Sequence, residues 1–274
     1  MAGLPTRRRC LHTLAALPLS SSVLSVLLPG CGRAVDAVDL LVAAGWRRPV
    51  QPAVARLTAG GVDLRTRYGG SGQLVGMLRL GARCDLLLTA DGSYLDDLPA
   101  PPLARRLLRT QTAGLLLADG IVPPSWADLL DGSVTLSIAR AESAAISRVV
   151  RTAIGPPAWN RLAAAARVHR ADVVECANDA AGLNMTDAAL VWDTTAAAYP
   201  GHRFVPLPSP AGDAPVDAVG SVELAVMTGR PVVARVADAI ASLLDASADA
   251  PADAPVDAPI DASAGVANPA AAAG

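Results

Sequence analysis

The chain has 274 residues, of which 52% are hydrophobic, and a formal net charge of −2. All 23 basic residues are arginine, and no arginine-rich stripe with interleaved aromatic residues occurs, so the sequence does not indicate a nucleic-acid-binding protein. No Cys/His spacing matches a zinc site and the three histidines do not cluster, so neither a metal nor another cofactor is expected.

The first 30 residues have the features of an export signal. Residues 6–11 resemble a twin-arginine motif, and the uncharged apolar run over 14–28 is shorter than the ~20 residues of a membrane-spanning helix. The run closes on the sequence LPGC, which resembles a bacterial lipobox with lipid on the sulfur of Cys31. We therefore expect a signal peptide over 1–30 and a lipid anchor at Cys31. The alternative is an ordinary signal peptide cut nearby, which also gives an exported protein.

Strands alternate with helices from residue 38 onward, which is typical of an α/β protein. The first half predicts strands at 38–44, 63–68, 85–90 and 112–118, helices at 50–59 and 72–80, and a helical or turn-rich stretch at 93–108. The second half predicts helices at 125–130, 141–154, 159–166, 175–183 and 232–244, and strands at 134–138, 172–174, 187–192, 203–207 and 219–227. This order favours two lobes, with a ligand site where the carboxyl ends of strands face each other.

The predicted domain organisation follows from the same order. We expect a first lobe from 35–112, a second lobe over 113–207, and a return to the first lobe over 208–244. Residues 245–274 are almost entirely Asp, Ala, Pro and Ser, so they predict a disordered tail. Cys84 and Cys176 fall in different predicted lobes. Two separate thiols are expected, and a disulfide is the alternative that an exported protein allows.

The loop at 69–72, GGSG, is the feature of the sequence that most directly indicates a binding site. It precedes a predicted helix, so backbone N–H groups and the Ser71 hydroxyl lie at a helix N-terminus, where the helix dipole favours an anion. Ser71 could also be the N-cap of that helix, and the two roles are compatible. No Ser/His/Asp, paired-carboxylate or metal constellation is visible, so an enzyme is not expected.

Several motifs together resemble the molybdate/tungstate-type periplasmic substrate-binding proteins of ABC importers. They are GGSG at 69–72, GARCDLLLTAD at 81–91, SWADLL at 125–130 and DAALVWD at 187–193, and the likeness covers about residues 36–240. The resemblance implies the type II periplasmic-binding-protein fold, which has two lobes, each a mixed sheet flanked by helices. It also implies a tetrahedral oxyanion held in the cleft by hydroxyl and backbone N–H groups, without a metal.

The same resemblance implies which residues contact the ligand. They are Gly45, Trp46, Ser71, Gly72, Ser143, Ala144, Val174 and Trp192. The family usually has a serine in the first loop, where this chain has Gly45 followed by Trp46. Gly45 then offers only its backbone N–H, and Trp46 could contribute its indole N–H. If the pocket is otherwise that of the family, Gly45→Ser should tighten binding.

These observations together predict an exported, monomeric, membrane-anchored lipoprotein outside the cytoplasm. We expect it to capture a small oxyanion, molybdate or tungstate, and the resemblance implies delivery to an ABC transporter permease. The absent first-loop serine and the long tail support an alternative. This is a transport-deficient receptor or scaffold of the same fold that binds an organic anion or a partner protein.

Overall fold

The computed structural model describes residues 37–212 and 214–248. The predicted export signal, the predicted lipidation site at Cys31 and the sequence from 249 onward lie outside these residues. Within them, no helix is both long enough and apolar enough to cross a membrane.

Strands and helices alternate along the described residues. The strands are β1 (Val38–Ala43), β2 (Leu64–Gly69), β3 (Leu86–Thr89), β4 (Ala104–Leu117), β5 (Leu136–Ala139), β6 (Val168–Arg170), β7 (Ala188–Trp192), β8 (Arg203–Pro206) and β9 (Val219–Val226). The helices are α1 (Arg47–Ala59), α2 (Ser71–Arg79), α3 (Trp126–Asp131), α4 (Ala145–Ile154), α5 (Pro156–Ala165), α6 (Val173–Ala181), α7 (Asp193–Ala196) and α8 (Pro231–Ala248). Two short 3-10 turns lie at Ala44–Trp46 and Gly92–Leu95.

The long strand β4 joins two sheets. The strand order is β2-β1-β3-β9-β4-β7-β5-β6, and β8 also pairs with β4. Up to Thr112, β4 pairs with β9, and from Ala113 onward it pairs with β7. We call β1, β2, β3, β9, the first part of β4 and helices α1, α2 and α8 the first lobe. The second lobe comprises the last part of β4, strands β5 to β8 and helices α3 to α7.

Buried apolar strands form the centre of both lobes. In the first lobe, β1 lies between β2 and β3, is parallel to both, and is almost wholly buried. In the second lobe, all five residues of β7 are buried, and β7 is parallel to β5 and antiparallel to β4. Strands covered on both faces read as continuous hydrophobic runs, which is why these strands are visible in the sequence. The predicted fold class, an α/β fold with mixed sheets flanked by helices, is confirmed.

Four predicted elements differ from the structure. The helix predicted over 141–154 begins only at Ala145, because 141–143 form a turn. The stretch 93–108 was predicted as helical or turn-rich, but β4 begins at Ala104. At its start β4 pairs only with β9 and carries exposed side chains, with a register shift between Leu107 and Arg109, so no apolar alternation marks it. The strand predicted at 172–174 is wrong because α6 already begins at Val173. Helix α8 continues to Ala248, past the predicted end at 244.

The two cysteines of the described chain are separate free thiols, as expected. Cys176 is buried in α6 and Cys84 is half-buried before β3. Burial raises the pKa of the Cys84 thiol to about 12. The thiol is therefore protonated and unreactive at neutral pH.

The lobes meet in a direct backbone contact at the start of α2. The Gly72 N–H donates to the Ser143 carbonyl across the cleft, with 2.9 Å between N and O. A Cβ on Gly70 would collide with the Ser143 carbonyl oxygen, and a Cβ on Gly72 would collide with that of Glu142. These carbonyls belong to the loop before α4, so only glycine allows this approach of the lobes.

We predict that Gly72→Ala separates the lobes without unfolding either of them. The added Cβ cannot share space with the Glu142 carbonyl, whereas Ala is favourable within a helix. Gly76→Ala is the matched control, because it lies in the same helix and its Cβ would meet nothing within 4 Å. Small-angle X-ray scattering should show a larger radius of gyration for Gly72→Ala than for Gly76→Ala. Equal radii would contradict this account of the contact.

Candidate functional site

The starts of three helices and the turn after β1 meet at a small cavity between the lobes. Its volume is about 10 Å³, which is about the space of one water molecule. The lining residues are Ala43, Ala44, Gly45, Gly70, Ser71, Ala90, Ala144, Ala145, Ile146, Asp172, Val173 and Trp192. None of these side chains is cationic. We call this cavity the inner cavity.

Ser71 is the first residue of α2 and is 1% exposed. The N-cap of α2 is Gly70, so the interpretation of Ser71 as N-cap is wrong. The Ser71 hydroxyl oxygen instead accepts a hydrogen bond from the Ala90 N–H at 3.1 Å. Since a hydroxyl both donates and accepts, its proton is left for a second partner. The Ala90 N–H, which follows β3 directly, therefore orients the Ser71 hydroxyl.

The start of α4 provides backbone donors on the opposite side of the inner cavity. Its N-cap, Ala144, offers no side-chain cap, and the first N–H groups of a helix have no partner within the helix. The Ala144 N–H donates to the Arg140 carbonyl at 3.0 Å. The Ser143 hydroxyl donates to the Ala171 carbonyl at 2.7 Å. The N–H groups of Ala145 and Ile146 belong to the first turn and have no partner within the helix, and both residues line the inner cavity.

Asp172 places a carboxylate at the third helix start. One of its oxygens accepts hydrogen bonds from the N–H groups of Val174 at 2.8 Å and Glu175 at 3.0 Å, which caps α6. Burial raises the pKa of the Asp172 carboxyl, the negative charge of Glu175 adds to the rise, and the two N–H groups oppose it. The Val174 N–H is therefore already bonded within the protein. The sequence signal for Asp172 is an N-cap residue directly before an apolar run.

Gln111 links both lobes through a buried amide beside the inner cavity. Its side-chain N–H donates to the Ala90 carbonyl at 2.8 Å, and its oxygen accepts from the Trp46 indole at 3.2 Å and from the Thr194 hydroxyl at 2.7 Å. Gln111 is 1% exposed and lies on β4 one residue before Thr112, where the pairing with β9 ends. The Trp46 indole N–H, expected from the sequence as a ligand donor, is thus used by Gln111.

Gly45 packs against Thr195 of the second lobe. A Cβ on Gly45 would lie 2.8 Å from the Thr195 hydroxyl oxygen and 3.1 Å from a methyl carbon of Val173. The Thr195 hydroxyl is buried and has no hydrogen-bond partner among the described residues. Thr195 therefore occupies the space that a larger residue at position 45 would need.

The structure brings four of the predicted site residues, Gly45, Ser71, Ala144 and Trp192, to the inner cavity. Trp192, at the end of β7, is 1% exposed. Gly72 and Ser143 instead bond to each other at the wall of the cavity. Trp46 and Val174 are not among the lining residues. In the part of the chain that the structure describes, no group of three or more His, Cys, Asp or Glu side chains could hold a metal ion.

Solved structures of binding proteins share this fold. The periplasmic molybdate-binding protein of Azotobacter vinelandii matches with a TM-score of 0.56 and 16% identity, over 77% of this chain and 97% of that one. The sulfate-binding protein SubI of Mycobacterium tuberculosis matches with a TM-score of 0.57 and 15% identity, over 77% and 82%. PEB3 with bound L-phospholactate matches with a TM-score of 0.54 and 13% identity, over 75% and 93%. At these identities the matches show the fold alone.

Sequence comparisons assign the family. A search of curated protein sequences finds no match. The family model described as "Bacterial extracellular solute-binding protein" matches residues 38–273, which is most of the chain. The chain therefore belongs to the bacterial extracellular solute-binding protein family.

Proposed function

We propose that this protein captures a small oxyanion, molybdate or tungstate, between its lobes and delivers it to an ABC importer. The observation that carries the proposal is the convergence of the Ser71 hydroxyl at the start of α2 and the uncapped start of α4 on one cavity without a cationic side chain. Helix N-termini bind anions through unpaired N–H groups and the helix dipole. In the same proposal the chain is monomeric, exported by the signal at 1–30 and anchored to the membrane through Cys31.

Ligand entry requires the lobes to open. The inner cavity of about 10 Å³ is too small for a tetrahedral oxyanion, which is larger than a water molecule. Opening would break the hydrogen bond between Gly72 and Ser143 and release the Gly72 N–H, the group that the sequence resemblance places at the ligand. Ser71 and the N–H groups at the start of α4 would then approach the ion from opposite lobes. Hinge closure around a ligand is an established motion of such folds.

A site made of neutral hydrogen-bond donors can distinguish oxyanions by their size. A cage of hydroxyl and N–H groups leaves some of its donors unpaired around an ion that is too small, and unpaired buried donors are costly. The solved molybdate- and sulfate-binding proteins with this fold are consistent with an oxyanion as ligand. We propose Gly45, Ser71, Gly72, Ala144 and Trp192 as the residues around the ion.

The test of this function is calorimetric titration of the protein with molybdate, tungstate, sulfate and phosphate, in the wild type and in Ser71→Ala. We expect molybdate or tungstate to bind and Ser71→Ala to weaken binding by about 1–3 kcal/mol, because a hydrogen bond to a charged ligand is lost. Ser147→Ala is the control, since Ser147 is also buried and hydrogen-bonded but lies outside the cavity lining. No binding of any of the four anions would overturn the proposal. Equal affinities for the wild type and Ser71→Ala would remove Ser71 from the site.

Asp172→Asn should tighten the binding of a dianion. The amide oxygen can still accept from Val174 and Glu175, but the negative charge beside the anion is gone. We expect the binding free energy to become more favourable by about 1–4 kcal/mol. This is the repulsion between two unit charges a few ångströms apart at a protein surface, which the substitution removes. Asp193→Asn is the matched control, because Asp193 begins α7 and lies outside the cavity lining. Weaker or unchanged binding in Asp172→Asn would show that the carboxylate does not face the anion.

Gly45→Ser should weaken binding, contrary to the expectation from sequence. The new Cβ would lie 2.8 Å from the Thr195 hydroxyl oxygen in the closed arrangement, so it hinders the lobes from closing again around an ion that has entered. The double variant Gly45→Ser/Thr195→Ala removes that oxygen and should bind more tightly than Gly45→Ser alone. Calorimetric titration with molybdate compares the two variants. Tighter binding in the single variant would mean that the lobes close differently around the ion.

A further inference from the structure

A second cavity opens between the lobes on the far side of the Gly72–Ser143 hydrogen bond. Its volume is about 310 Å³, within the range of sites for small organic ligands and far larger than the inner cavity. The residues that define its chemistry are Arg79, Tyr94, Asp97, Glu142, Arg148 and Arg151. We call it the arginine groove. Its walls come from α2 and the 3-10 turn at Gly92–Leu95 in the first lobe, and from α4 and the preceding loop in the second.

The charges of the arginine groove favour an anion. Two of its arginines bind Asp97: Arg148 at the carboxylate, with 2.7 Å between N and O, and Arg79 at the backbone carbonyl, at 2.8 Å. Arg151 is exposed and, among the described residues, forms neither an ion pair nor a side-chain hydrogen bond. The lining of the groove thus includes three arginines, one of them free, and two acidic residues, Asp97 and Glu142. The inner cavity, in contrast, carries only the carboxylate of Asp172.

The groove also has fixed walls. Tyr94 is buried, with its ring under the Arg148 guanidinium at 4.6 Å from the ring centre. Burial raises the pKa of Tyr94 to about 12, so its hydroxyl keeps its proton at neutral pH. That hydroxyl donates a hydrogen bond to the Ala141 carbonyl of the other lobe, with 3.4 Å between the two oxygens. The stacked and ion-paired Arg148 is therefore held in place, whereas Arg79 and Arg151 are at the surface.

We propose that the arginine groove binds a small organic acid with two or more negative charges, as a ligand distinct from the oxyanion of the inner cavity. Guanidinium groups present a planar fork of donors that matches carboxylate and phosphate oxygens, so several of them select a ligand with several such groups. The volume of the groove is large enough for a dicarboxylate or a phosphorylated alcohol. Because the walls belong to both lobes, such a ligand connects them and holds them at a defined opening.

The test is calorimetric titration of the full chain with succinate, citrate and glycerol 3-phosphate, and with succinamide as the uncharged counterpart of succinate. We expect at least one of the acids to bind and succinamide not to bind. Arg151→Gln should weaken that binding by about tenfold, the usual effect of losing a hydrogen bond between charged groups. Glu142→Gln should tighten it by about threefold, because a repelling carboxylate is removed. The side chains of Arg151 and Glu142 form no ion pair and no hydrogen bond with other described residues. Substituting them therefore removes no contact that stabilises the fold.

Arg161→Gln is the control for a general change of charge, because Arg161 is an exposed residue of α5 outside the groove. It should leave the affinity for the acid unchanged. The proposal is overturned if none of the acids binds, if succinamide binds equally well, or if Arg151→Gln and Arg161→Gln have equal effects. Ser71→Ala separates this proposal from the oxyanion site, since it should weaken molybdate binding and leave the acid unaffected. Loss of both ligands in Ser71→Ala would assign them to one site and overturn the proposal.

Discussion

The close approach of two backbone segments across the cleft is the constraint on which the rest of the site depends. The start of α2 lies against the carbonyls of Glu142 and Ser143, and only the absence of a Cβ at Gly70 and Gly72 permits this distance. The contact brings Ser71 and the start of α4 to the same cavity, and it separates that cavity from the arginine groove. The glycine-rich loop therefore has two consequences. It brings the Gly72 N–H to the Ser143 carbonyl, and it lets two lobes close without a side chain between them.

Charge is distributed unequally between the two cavities. The inner cavity has backbone donors, one serine hydroxyl and one carboxylate, whereas the arginine groove has three guanidinium groups. The net charge of the chain is −2, so long-range attraction of anions by the whole protein is weak. Anion binding must then arise locally, from helix ends in one cavity and from arginines in the other. The two cavities differ in size as well as in charge, so they suit different ligands.

The fold was largely predictable from the sequence, and the reason is burial. Strands such as β1 and β7 are covered on both faces and appear as apolar runs, and Ser71 follows glycines directly before an amphipathic helix. The start of β4 was not predictable, because its exposed residues are held by backbone pairing with β9, more than 100 positions later in the chain. Gln111 and Thr195 were missed for the same reason, since their roles depend on packing between distant segments. Asp172 could have been recognised as a helix N-cap, but not as part of a cavity.

The central claim is that an oxyanion binds where the starts of α2, α4 and α6 meet. Tungsten scatters X-rays anomalously, so a crystal of the protein grown with tungstate locates the ion directly. The account predicts one anomalous peak between Ser71 and the N–H groups of Ala145 and Ile146, with the Gly72–Ser143 hydrogen bond broken or lengthened. A peak among Arg79, Arg148 and Arg151 instead, or no peak in a crystal whose lobes are free to open, would contradict it.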